Sequence, residues 1–350
     1  MAEGLSSGNS RLSNRKLILG ILIFTVLAGG FWFMTTHEST TSENIPIIRL
    51  GWQVPWATQG QLVQILKHTD ILDQNELNVQ FTGFDHGGPL NEAALAGQVD
   101  ILFTADQPAA TLLSKDPNWS IIGRLMYNRV SLYVPPSSSV QTIQDLKGKI
   151  IAMPFGAAAQ RYALKVLTDS GLNPQTDVKT INLGIYEQSD MVRSAEASTW
   201  GDIDAMAGFD PTPAILEEKG LIRTLGTGKV VSVIVVSNDL LKRDPESVVR
   251  FLRSFSEAYD YYRLHQAQAD EWFIEESRLD ITPSALAIAA AVEPNLTSSG
   301  LEDMRFDFNN QDYLTLQEAA DFIFNQGLVD ARVDMRAFVD LTHLEQALKK

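Results

Sequence analysis

The sequence predicts an α/β protein of two similar lobes that face each other across a cleft. Three observations carry that expectation. From Ile45 to Asn238, apolar strand-like runs alternate with amphipathic helix-like runs, the pattern of βαβ units and largely parallel sheets. Two distant stretches repeat one pattern. AGQVDILFTADQP (Ala96–Pro108) and WGDIDAMAGFDP (Trp200–Pro211) each read Gly-x-(Val/Ile)-Asp, a short apolar run, a second Asp and a nearby Pro. After Asn238 the pattern turns helical, so this last part must pack on a body already built.

The elements follow in order. IPIIRLGW reads as a buried strand, GQLVQILKHTDIL as a helix through Leu62, Ile65 and Leu66, and LNVQFTGF as an alternating strand. PLNEAALAG is a helix stopped by Gly97; VDILFTA is a strand; PAATLLSK opens a helix with Pro108 in its first turn, where a missing N–H costs nothing. WSIIGRLMYN and VSLYVPP are expected as two strands. The scheme then restarts with SVQTIQDLKGK as a short helix and turn, IIAMP as a strand, and AAAQRYALKVLTDSG as a helix ended by Gly171. VKTINLG is a strand, SDMVRSAEAST a helix capped by Ser189, IDAMAG a strand and TPAILEEKG a helix. LIRTLGTG and VVSVIVVS are again expected as two strands. In the helical end, Val248, Phe251, Leu252, Phe255, Ala258, Tyr259 and Tyr262 share one face.

Composition bounds the function. A net charge of −15 and no Lys/Arg-rich block in the folded part argue against nucleic-acid binding. The absence of cysteine removes disulfides, thiolate metal sites and thiol nucleophiles. His37, His68, His86, His265 and His343 are scattered and form no HExxH pattern, so no metal is expected and no cofactor. At the N-terminus, Arg11, Arg15 and Lys16 precede an uncharged apolar run, Leu17–Met34. At 1.5 Å per residue it spans about 27 Å, enough for a bilayer core. Residues 1–16 are then a cytoplasmic basic segment, 17–34 a transmembrane signal anchor or signal peptide, and 35–44 a linker, with the rest exported.

The motifs LNEAALAGQVDI (Leu90–Ile101), DLKGKIIAMPFGAAAQRYAL (Asp145–Leu164), LTDSGLNPQTDV (Leu167–Val178) and GDIDAMAGFDP (Gly201–Pro211) occur in this order. Over Ile45–Val236 the chain resembles the ABC-transporter substrate-binding proteins of the aliphatic-sulfonate, taurine, nitrate and thiamine-precursor group. The resemblance implies a bilobal type II periplasmic-binding fold with two crossing strands, placed at Val130–Val134 and Val231–Val236. Lobe one is expected at 45–129 plus 237–350, with the helical part docked on it, and lobe two with the hinge strands at 130–236. It implies a monomer that passes a small solute to an ABC permease and performs no catalysis.

Ligands of open α/β sheets bind beyond the carboxyl ends of strands. The loops there supply the candidate ligand contacts: Trp52, Gln53 and Trp56; Phe84 and Asp85; Thr104 and Asp106; Gly156, Ala157, Ala158 and Gln160; Tyr186 and Glu187; Phe209 and Asp210. The PFGAAAQR turn offers helix N-terminal N–H groups to an anion, with Arg161 adding charge. The four acids and five aromatics point the other way, to a small nitrogenous or heteroaromatic solute held by cation–π contact and charge-assisted hydrogen bonds. A sulfonate-like anion is the alternative. Asp106 and Asp210 also fit as helix caps. An enzyme related to the pyrimidine-precursor synthases is a reading from another class. It lacks its metal-binding cysteines here, and Asp85–His86 is the one acid–base pair on offer.

Overall fold

A computed structural model describes residues 46–195 and 199–349. The apolar run Leu17–Met34 lies outside the described residues. Among the described residues no helix is long and apolar enough to cross a membrane. The order is β1 (Ile47–Gln53), α1 (Gln59–His68), α2 (Ile71–Gln74), β2 (Asn78–Phe84), α3 (Gly87–Leu95), β3 (Ile101–Ala105), α4 (Asp106–Lys115) and β4 (Trp119–Val134). Then come β5 (Ile150–Met153), α5 (Ala158–Asp169), β6 (Lys179–Asn182), α6 (Ile185–Ser194), β7 (Ala205–Phe209), α7 (Thr212–Glu218) and β8 (Arg223–Ser237). The helical end holds α8 (Asn238–Arg243), α9 (Pro245–Leu264), α10 (Gln266–Ser277), α11 (Pro283–Ala290), α12 (Asn310–Asn325) and α13 (Thr342–Leu348).

The strands form one sheet in the order β2-β1-β3-β8-β4-β7-β5-β6. β1, β2 and β3 are parallel, as are β5, β6 and β7. Between these two groups lie β4 and β8, antiparallel to each other over nearly their whole lengths. β8 joins the first group through β3 (Ala105 opposite Ser232), and β4 joins the second through β7 (Phe209 opposite Val130). The changeover falls at Tyr127–Arg129 of β4 and Lys229–Val231 of β8, where the two strands pair with each other. Register shifts in this ladder lie on either side, at Arg124/Met126 and Leu132/Tyr133.

Each expected pair of short strands is therefore one long strand. Asn128–Arg129 and Gly226–Lys229 interrupt the apolar pattern, but their backbones pair across the ribbon, Arg129 opposite Lys229 and Val130 opposite Gly228. Gly228 also makes room for a ring, since a Cβ there would lie 2.4 Å from Tyr162 Cδ2. Two other expectations change. The helix expected over Ser139–Lys149 is a single 3-10 turn at Gln144–Leu146, because Asp145 Oδ2 accepts the N–H groups of Gln141 and Thr142 and holds a turn. The helix expected from Ser189 begins at Ile185, so Ser189 is buried inside it rather than capping it.

Period-two alternation builds the core. Ile101, Phe103, Ile234 and Val236 join the cluster under α1 and α9, while Leu102, Val233 and Val235 face α3, α4 and α12. In the second group Leu132, Ile151, Met153, Ala205 and Ala207 share a cluster with α5, whereas Tyr133, Ala152 and Met206 lie in a cluster on the other face. The predicted face of α9 is buried throughout. The helical end packs on the first group and is pinned to β4 by a fully buried ion pair, Arg124 Nη1 to Glu293 Oε2 at 2.7 Å. It also reaches the second group, where α11 and α7 share an apolar cluster and Glu318 of α12 meets Lys165 of α5.

Candidate functional site

Register sets the site. β3 ends at Ala105 opposite Ser232, and β7 ends at Phe209 opposite Val130, so both carboxyl ends point at the changeover from opposite sides. Loops after β1 and β3 meet loops after β5 and β7 there.

From the first side come Trp52, Gln53, Trp56, Thr104 and Asp106, all buried. Gln53 donates its N–H to Gln59 Oε1 at 2.6 Å, which ties the end of β1 to the start of α1. Phe84 is half-buried and Asp85 exposed. His86 caps α3, its Nδ1 accepting from the Gly88 N–H at 3.1 Å. That nitrogen is spent on a helix terminus, and the Asp85 charge acts on the same ring. Burial lowers the His86 pKa below 6.5, while the charges of Asp85, Glu187 and Glu92 pull it upward.

From the second side, Ala157 sits at the N-cap of α5 and Ala158 begins the helix. Gly156 has φ +81°, a conformation only glycine holds without strain, and donates to Gln160 Oε1 at 2.8 Å. It also allows a close approach, since a Cβ on it would lie 4.0 Å from Gly88 Cα on the opposite side. Tyr186 and Glu187 lie in the first turn of α6 rather than in a loop. The Tyr186 hydroxyl donates to the Ser277 carbonyl at 2.9 Å, and burial pushes its pKa up to about 12. Glu187 is exposed.

The two sides meet at an aromatic pair. Trp56 stacks on Phe209 with ring centroids 4.3 Å apart and an interplanar angle of 24°. The backbone joins beside it, with Ala57 N–H donating to the Asp210 carbonyl at 3.4 Å.

The acids are not the free carboxylates that a cationic ligand needs. Asp106 Oδ2 accepts from Arg161 Nη2 at 2.5 Å and from the Val231 N–H at 3.2 Å. Asp210 is gripped by Arg129 through Nε at 2.6 Å and Nη2 at 3.0 Å, and its Oδ1 accepts the Ala214 N–H at 3.2 Å inside α7. Neither acid is the N-cap residue expected, since Ala105 and Pro211 hold those positions, although Asp210 still accepts an N–H of the first turn of α7; each buried acid has a guanidinium partner. Sequence reasoning missed Arg129, Gln59 and Thr212. The TQGQ run after Trp56 held a signal, since polar residues there sit where α1 turns inward.

Among the buried polar atoms of the described residues without a hydrogen-bond partner, four lie on the segments that carry or adjoin the stack: Gln53 Oε1, Trp56 Nε1, Gln59 Nε2 and Thr212 Oγ1. Such groups normally find a partner when buried. Three of the four can donate, so the set suits a molecule rich in acceptor oxygens.

A Bacillus subtilis (strain 168) protein provisionally named for binding aliphatic sulfonates is 24% identical over 288 residues, covering 80% of this chain and 82% of its own. The alkanesulfonate-binding protein SsuA of Xanthomonas axonopodis pv. citri, solved with MOPS bound, superposes with a TM-score of 0.69 at 21% identity, over 85% of this chain and 99% of its own. The desulfurization enzyme DSZB shares the fold at 15% identity, with a TM-score of 0.61 over 86% of this chain and 99% of its own. The NMT1/THI5-like family matches residues 74–269, more than half of the 350-residue chain, and the protein is a member of that family with a periplasmic-binding-protein fold.

Proposed function

We propose that this protein is an exported solute-binding component of an ABC importer, which closes its two lobes on a small organic anion of the sulfonate type and presents it to a permease. The observation that carries the anion is the set of buried unpartnered donors, Trp56 Nε1, Gln59 Nε2 and Thr212 Oγ1, on the segments that follow β1 and β7. The arginine partners of Asp106 and Asp210 support the same reading, because they remove the carboxylates that would repel an anion. The nitrogenous solute keeps its aromatic surroundings but loses its two buried counter-ions. The names of the sulfonate-binding relatives add weight to the anion. No catalytic step is proposed. Lobe one is taken as the β1–β3 side with the helical end and lobe two as the β5–β7 side; the strand pairing favours a hinge at Tyr127–Arg129 and Lys229–Val231 over the expected crossings at Val130–Val134 and Val231–Val236.

The basic flank and apolar run Leu17–Met34 support tethering to the outer face of the cytoplasmic membrane. Retention of the full chain in membranes after an alkaline carbonate wash is expected; release into the wash would refute the tether. For the solute, a thermal-shift screen of the full chain against sulfonates and against amines with nitrogen heterocycles decides. A ligand at 100 times its Kd stabilises by about 2.7 kcal/mol, a rise of a few degrees at this size. Hits among the sulfonates are expected. Hits confined to the amines would overturn the anion reading.

A further inference from the structure

Resting on the sulfonate reading above, the geometry points to a solute that carries a flat ring, which the closed protein holds between Trp56 and Phe209. The two side chains come from opposite lobes, Trp56 from the β1–α1 loop and Phe209 from the last residue of β7. Both are fully buried and lie face to face. The core cluster they belong to mixes small residues, Ala105, Ala157, Ala158 and Ala159, with larger ones such as Val130 and Ile185. Here the two rings are in direct contact, so they bound a slot for a flat ring only once the lobes part.

The slot has a direction. Trp56 Nε1, Gln59 Nε2 and Thr212 Oγ1 are donors on the segments flanking the pair, so a molecule with a ring at one end and an acceptor-rich head at the other satisfies both features. A ring inserted between two others needs about 7 Å between the outer faces, twice the ~3.5 Å contact of stacked carbons. The centroids now stand 4.3 Å apart, so the lobes must part at this point, which a hinge at the changeover permits. A puckered saturated ring is thicker and presents no π-face, so the slot selects by flatness and not by apolar area alone.

The test compares benzenesulfonate, cyclohexanesulfonate and ethanesulfonate by titration calorimetry on the full chain, with Phe209→Leu as the variant. The expected result is benzenesulfonate binding at least tenfold tighter than cyclohexanesulfonate, and a ratio within twofold of one in Phe209→Leu. Equal binding of the two rings, or ethanesulfonate binding as tightly as benzenesulfonate, overturns the ring slot and leaves the sulfonate reading standing. A variant that weakens all three equally also overturns it, since that is loss of structure alone. If none of the three binds, the sulfonate reading falls and the slot with it. The ratio in the unaltered chain decides even if the variant does not fold.

Discussion

In AGQVDILFTADQP the first aspartate locks its strand to the neighbour. Arg49 donates its N–H to Asp100 Oδ2 at 3.0 Å, and Asp100 returns its own N–H to the Arg49 carbonyl at 2.7 Å. In WGDIDAMAGFDP, Asp204 repeats the exchange with Ile150, at 2.9 Å in both directions. A nearby cation completes each, Arg49 in the first and Lys149 in the second. The second aspartates differ. Asp106 takes its arginine from α5 in the opposite lobe, whereas Asp210 takes Arg129 from the adjoining strand. The repeat thus fixes how a strand starts, while residues remote in sequence decide whether its last acid joins the lobes or braces one of them.

That contrast breaks most visibly at Asp210. Asp210→Ala leaves the mostly buried Arg129 guanidinium with only the partly exposed Glu217 as a partner and is expected to cost about 3 kcal/mol in denaturant unfolding, the low end for a broken buried pair. A loss below about 1 kcal/mol would mean the pair does not brace the lobe. Asp106→Asn is expected to cost less, about 1–3 kcal/mol, because an amide still accepts from the Val231 N–H. Its signature is a change of shape, a larger radius of gyration in small-angle scattering of the ligand-free protein. Identical scattering for Asp106→Asn and the unaltered chain would remove Asp106–Arg161 from the closure contacts.

The first aspartates give the smallest and finest difference. Asp100 is buried, whereas Asp204 and Lys149 are each about a third exposed, so Asp204→Asn is expected to cost under about 1 kcal/mol and Asp100→Asn more. Burial raises the Asp100 pKa, but the hydrogen bonds and charge of Arg49, with Arg243 adding, outweigh it and hold the carboxyl below 3.8. A depressed acid pKa gives stability that is full above the unfolded value and lost as pH falls through the folded one. Unfolding free energies measured from pH 5 downward should therefore decline less steeply in Asp100→Asn than in the unaltered chain. Parallel acid limbs would show that Asp100 is not a coupled group.

Local pattern made much of the fold legible. The buried face of α9 follows from spacing alone, and Gly97 and Gly171 stop their helices with positive φ as read. The long strands were not legible, because Asn128–Arg129 and Gly226–Lys229 look like breaks until their cross-strand partners are known. The aromatic members of the site were visible as strand-end residues. Their electrostatics were not, since Arg161 is 55 positions from Asp106 and Arg129 is 81 from Asp210, and an acid read without its cation looks free.

The ribbon of β4 and β8 has a mechanical consequence. At the changeover the sheet narrows to these two strands, which are covalently continuous and laddered to each other. Two-stranded ribbons take a larger twist than wide sheets. On the two-lobe reading proposed above, this one would act as a torsion bar between the lobes, favouring rotation over translation. Solute capture would then follow a single angular coordinate, over a segment flanked by the ladder irregularities at Arg124/Met126 and Leu132/Tyr133.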